Sequence, residues 1–167
     1  MAAMSIATRE RMSTEALLGF VDGLVATPEL WRHLVRHSDD GRVYEQIWED
    51  ELVNAWLICW SEDQDTGFHD HDRSEAAIAV VEGHISEDRL RLGGEPEARL
   101  IGPGGRAVVP AVAIHRVLHA GVGPAVTIHA YSPPLRRTGA YRVGPDGQLE
   151  RASVSYEEEL SAEPVVA

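Results

Sequence analysis

The chain has 167 residues, 44% of them hydrophobic, which suits one domain with a substantial core and leaves no need for a second. Its formal net charge of −12 argues against a nucleic-acid partner, because phosphate binding relies on clustered Lys and Arg that release counterions. Cys59 is the only cysteine, no apolar run approaches the ~20 residues of a membrane span, and no charged-then-apolar leader opens the chain. A soluble, cytoplasmic protein with neither nucleic-acid nor membrane partners is therefore expected. All 15 basic residues are Arg, which reads as coding bias and not as a functional device.

A polar leader precedes a helix that starts after Ser13 or Thr14, with Leu17, Phe20, Val21, Leu24 and Val25 at helical spacing. Thr27-Pro28-Glu29 then opens a second short helix, whose stripe is Leu30, Trp31, Leu34 and Val35 and which should stop near Ser38. After the turn Asp39-Asp40-Gly41 the text changes to short runs of Val, Ile and aromatic residues broken by Gly, Pro or Asp. Strands are expected over 43–48, 52–60, 67–71, 76–82, 84–92, 97–101, 106–110, 114–119, 124–131 and 139–143. The fold class is all-β, a double-sheet barrel whose closure removes edges and whose interior can hold a small ligand. The expected plan is a helical segment over 1–42 packed on the barrel, the barrel over 43–153, and a flexible acidic tail over 154–167.

The chemistry centres on His69-Asp70-His71. In an extended strand residues i and i+2 share a face, so two imidazoles can be directed at one metal ion. Alone, such a pair is more often a solvated polar face. Further on, Pro110, His115 and His119 stand in one segment, and a third histidine on a second strand would complete a three-nitrogen set. Thr127, His129 and Tyr131 alternate along one expected strand and so face one side. Cys59 and Trp60 read as core residues.

These segments resemble the cupin superfamily, whose motifs are roughly G-x5-H-x-H-x3,4-E-x6-G and G-x5-P-x-G-x2-H-x3-N. Gly83 fits the first, and Gly104, Pro110 and His115 fit the second. Val112 stands for the second motif's Gly and His119 for its Asn. The usual acidic ligand position is Ala76, with Glu75 one residue early. Among cupins the text is similar to cysteine dioxygenase type thiol dioxygenases over about residues 44 to 141: Cys59-Trp60, Phe68-His69-Asp70-His71, Val81-Glu82-Gly83, Ile114-His115-Arg116-Val117 and Ile128-His129-Ala130-Tyr131-Ser132-Pro133-Pro134.

That resemblance implies a cupin jelly roll carrying one Fe(2+) per chain on His69, His71 and His115, with no carboxylate ligand. It implies a small-molecule thiol and O2 as partners, and a sulfinate as product. Thr127, His129 and Tyr131 match the family's Ser-His-Tyr relay beside the metal, with Thr in place of Ser. Tyr44-Glu45-Gln46 puts Gln46 where cysteine dioxygenases carry the carboxylate-binding Arg, and 3-mercaptopropionate dioxygenases look alike in using Gln there. Gln46 and Tyr44 are then substrate-binding candidates, with Arg73, Arg116 or Arg136 as the carboxylate partner. Ala76 occupies the position of the Cys that some relatives crosslink to the Tyr, so no crosslink is expected. Glu75 and His119 remain alternative ligands. A cupin enzyme acting on a non-thiol molecule, or a non-catalytic binding cupin, also stays open, since fold does not decide function. A monomer or small homo-oligomer is expected.

Overall fold

The computed structural model describes residues 11–155; the expected leader and most of the acidic tail lie outside them. Helix α1 (Thr14–Val25) begins where Ser13 accepts a hydrogen bond from the Ala16 amide at 3.2 Å, a side-chain cap. Its Leu17, Val21 and Leu24 are buried, each contributing about 1.5–3 kcal/mol relative to exposure. The second helix forms as two 3₁₀ turns, Pro28–Leu30 and Arg32–Leu34. Trp31 between them is buried, and its indole donates to the Leu24 carbonyl at 2.9 Å, closing the end of α1.

Among the described residues eleven strands build two antiparallel sheets. The first runs β1 (Val43–Glu49), β2 (Asn54–Trp60), β9 (Ala125–Ser132), β4 (Glu75–Glu82) and β7 (Arg106–Val109). The second runs β11 (Leu149–Ser155), β10 (Arg137–Val143), β3 (His69–Asp70), β8 (His115–Ala120), β5 (His84–Arg89) and β6 (Glu97–Ile101). β2 and β9 are buried along their whole lengths because both of their faces are covered. Trp56, Ile58 and Trp60 point into the barrel with Ala76, Ile78, Val80 and Tyr131, against Ile85, Ile101 and Val117 of the opposite sheet. Ala55, Leu57, Cys59, Val126, Ile128 and Ala130 point outward into a second core with α1 and Trp31.

Between β4 and β5 the chain passes from the first sheet to the second at Gly83, whose φ is 66°; a Cβ there would overlap the Pro124 carbonyl, so the motif glycine is a backbone requirement. Strand β11 was not among the expected strands. It pairs with β10 over its full length, so Val154 and Ser155, expected in a loose tail, are ladder residues opposite Thr138 and Arg137. No helix among the described residues is long and apolar enough to cross a membrane.

Candidate metal centre

β3 and β8 bring the three predicted histidines together. His69 lies directly opposite His115 in the ladder, and His71 follows β3 by one residue. The His71 Nε2 atom is 3.2 Å from the Nε2 of His69 and 3.2 Å from that of His115, and all three rings are buried. Their ligand atoms lie within 4.8 Å of one another, a group that could hold a metal ion. The His69 Nδ1 sits 3.1 Å from the Gly67 carbonyl, which accepts from it and leaves Nε2 as the lone-pair nitrogen. Burial first, then the neighbouring positive charge each would feel, holds His71 and His115 well below the ordinary histidine pKa. Three buried imidazole nitrogens converging on one point are a donor set suited to a cation.

The alternative ligands lie elsewhere. Ala76 faces the barrel interior directly opposite Tyr131, so alternation turns Glu75 to the other side of the sheet. The His119 Nε2 is 2.7 Å from the Gly123 carbonyl, at the far end of β8. Neither belongs to the histidine group. A Cys at position 76 would face the phenol; with Ala there, no thioether can form.

Thr127, His129 and Tyr131 all point inward from β9 as a connected line. Thr127 Oγ1 is 2.9 Å from His129 Nε2, and His129 Nδ1 is 3.2 Å from the Tyr131 hydroxyl, whose ring centroid is 5.1 Å from that of His71. Sequence reading set Trp60 aside as a core residue; it is buried, but its indole N–H donates to Thr127 Oγ1 at 2.9 Å. An indole can only donate, so the Thr127 hydroxyl accepts from it, and the direction of the Thr127–His129 and His129–Tyr131 contacts follows the His129 tautomer. Burial pushes the His129 pKa down to about 3, so the ring is neutral and one of its nitrogens donates while the other accepts. The signal for Trp60 was register: it is opposite Ala125, two positions from Thr127 on the same inward face.

The predicted substrate residues sit on β1, in the turn after β3 and at the barrel rim. Gln46 is opposite Trp56 and so belongs to the inward side of β1, but it is exposed at the rim, where its amide donates to Glu49. Arg136 donates to the other oxygen of Glu49, and these two contacts, Arg136 first, hold that carboxyl below its usual range. Tyr44 packs beside Trp56 with ring centroids 6.2 Å apart. Arg73 is exposed in the turn after His71. Arg116 is engaged by Asp88 at 2.9 Å and stacks over Phe68, so of the three arginines only Arg136 shares a partner with Gln46. Cys59 faces the helix, and burial raises its thiol pKa, which makes it a packing residue.

The double-sheet barrel with metal-capable histidines inside it is a cupin. It is similar to a cupin superfamily protein of Desulfitobacterium hafniense (TM-score 0.53, 11% identity, 62% of this chain and 87% of that one). It is also similar to a Klebsiella pneumoniae protein with a double-stranded β-helix domain (TM-score 0.55, 14% identity, 72% and 87%). These likenesses establish the fold. The family model of cysteine dioxygenase type I matches residues 4–143, and the chain belongs to that family. Cysteine dioxygenase type 1 of Danio rerio is 23% identical over 150 residues, 81% of this chain and 74% of that protein. The Homo sapiens protein is 24% identical over 97 residues, 53% of this chain and 48% of that one, so the match spans about half of this relative's length.

Proposed function

We propose that the chain is a non-haem iron thiol dioxygenase that adds both atoms of O2 to the sulfur of a small thiol, RSH + O2 → RSO2H. The observation that carries the reading is the convergence of three buried Nε2 atoms, with alanine where other cupins place a carboxylate and a polar line ending at Tyr131 beside them. His69, His71 and His115 would hold one Fe(2+), which when bound supplies the place where a thiolate and dioxygen meet. Without a ligand carboxylate the protein leaves the cation's charge whole, which favours an anionic sulfur.

The residues around it orient and exclude water. Trp60 anchors the Thr127 hydroxyl, Thr127 holds the His129 ring, and His129 holds the Tyr131 hydroxyl at the edge of the histidine cluster. Tyr131→Phe is expected to lower turnover about 10–100-fold while iron content holds, the usual cost of deleting an outer hydrogen bond. Wild-type turnover in that variant would reassign the phenol to packing.

For the substrate's far end, Gln46 and Arg136 already grip one carboxylate, that of Glu49. A mercapto-acid such as 3-mercaptopropionate would exchange its carboxylate for Glu49 there, with Tyr44 as a wall and Arg73 in the turn after His71 as a further cation. Gln46→Ala is expected to raise KM for the mercapto-acid with iron content unchanged, because the lost contact is to substrate. An unaltered KM would remove Gln46 from the binding site. The test of the whole reading is oxygen uptake and sulfinate formation by iron-loaded protein with a panel of thiols, cysteine and 3-mercaptopropionate among them. Iron binding without thiol-dependent oxygen uptake would move the protein to another cupin chemistry.

A further inference from the structure

The ring nitrogens that face away from the histidine cluster also need partners. His115 Nδ1 is fully buried and has no hydrogen bond of ordinary geometry among the described residues. The acceptor within reach is Glu87 Oε1, 3.3 Å away, on a carboxylate that is only 2% exposed. That separation is longer than the roughly 2.7–2.9 Å of a charge-assisted N–H···O bond, so the contact is open as it stands.

Glu87 is not placed by chance packing. It lies on β5, beside the metal-bearing β8, on the inward face that Ile85 shares. Two residues on, Arg89 is directly opposite His115, and its Nε donates to the same Glu87 oxygen at 2.8 Å. The other end of that guanidinium donates to the Val108 carbonyl of β7, across the seam between the sheets. One arginine thus anchors the carboxylate to both halves of the barrel. A buried carboxylate costs several kcal/mol unless it is paired and hydrogen-bonded, and Arg89, itself one-third exposed, is one partner.

We propose that Glu87 is the carboxylate partner of His115, held in place by Arg89, and that it fixes the ring with Nδ1 protonated and Nε2 turned to the metal. The inference rests on the reading of His69, His71 and His115 as metal ligands. A cation on Nε2 makes Nδ1–H a stronger donor, and a small ring rotation closes the gap to Glu87. The carboxylate that cupins of the ordinary type spend on the metal itself stands here behind a ligand, where it raises that ligand's basicity and leaves a coordination position open.

Zinc(II), a redox-silent probe, provides the test through its affinity, measured by chelator competition on the full chain, and the thermal midpoint of the metal-free protein. Glu87→Gln keeps the shape and the link to Arg89 but weakens the acceptor; its zinc affinity is expected to fall 10–100-fold with the metal-free midpoint little changed. Equal affinity in the two proteins overturns the inference and leaves the metal site standing. Failure of the wild-type protein to bind zinc, iron or cobalt overturns the metal reading and this inference with it. Should Glu87→Gln not fold, nitrogen-15 NMR of histidine-labelled, zinc-loaded wild type decides. A slowly exchanging His115 Nδ1–H supports the pair, and one that exchanges as fast as a surface imidazole overturns it.

Discussion

Replacing His71 with alanine is expected to abolish the stabilisation that metal gives this protein while leaving the metal-free fold intact. His71 links the cluster: its Nε2 is 3.2 Å from that of His69 and 3.2 Å from that of His115. Without it two imidazoles remain, and affinity should fall by more than about 100-fold, beyond the cost of losing an outer partner. At a metal concentration of 1,000 Kd, binding adds about 4 kcal/mol to the stability of the native state, and the variant forfeits nearly all of it. The metal-free protein behaves differently. Deleting the His71 ring costs packing there but also removes its buried Nδ1, which has no hydrogen-bond partner among the described residues. Anaerobic urea titrations with and without ferrous ion, on wild type and His71→Ala, measure both terms. A variant that kept the full metal-dependent shift would show that the ion binds elsewhere.

The three histidines were legible because period-two spacing and a motif distance are properties of text. Their partners were not. Glu87 touches His115 only because β5 and β8 pair in one register, and nothing in the order of residues announces which strands become neighbours. The same holds for Trp60, whose aromatic bulk fitted a core assignment while its single polar atom carried the contact to Thr127. Strand β3 was expected over 67–71 and is two residues long, because Asp65 takes up the Gly67 amide on one side and Asp72 turns to a φ of 55° on the other. The second helix shrank to 3₁₀ turns for a comparable reason: Trp31 is pulled inward to the Leu24 carbonyl, which fixes one ring at the expense of a regular stripe. β11 escaped notice because its side chains are exposed or only half-buried, so no apolar alternation marks it.

That overlooked strand leads to the second large effect expected, in Arg151. Between His69 and His71, Asp70 turns to the opposite face and is buried. It accepts from the Asp72 and Gly139 amides at 2.9 and 3.1 Å, from the Tyr141 hydroxyl at 2.6 Å, and from Arg151 Nε and Nη2 at 2.8 and 3.0 Å. Burial acts to raise the carboxyl's pKa, yet Arg151, Tyr141 and the Asp72 amide together outweigh it and hold Asp70 well below its usual range. Arg151 reaches across β10 only because residue 139 is glycine; a Cβ there would fall inside the guanidinium. The edge strand therefore grips the metal strand through a two-pronged pair. Arg151→Ala should leave Asp70 charged and short of its main partner, costing roughly 1–3 kcal/mol, the range for hydrogen bonds to charged groups and below that of a fully buried pair, since Arg151 is partly exposed. The loosened β3 should also bind metal less tightly. Gly139→Ala should reproduce both defects without touching either charge. In a double-mutant cycle, Asp70→Asn should cost much less when Arg151 is already alanine, with a coupling of about 1–3 kcal/mol from urea midpoints. Additive losses would mean that the pair does no joint work, and that β11 is held by its backbone ladder alone.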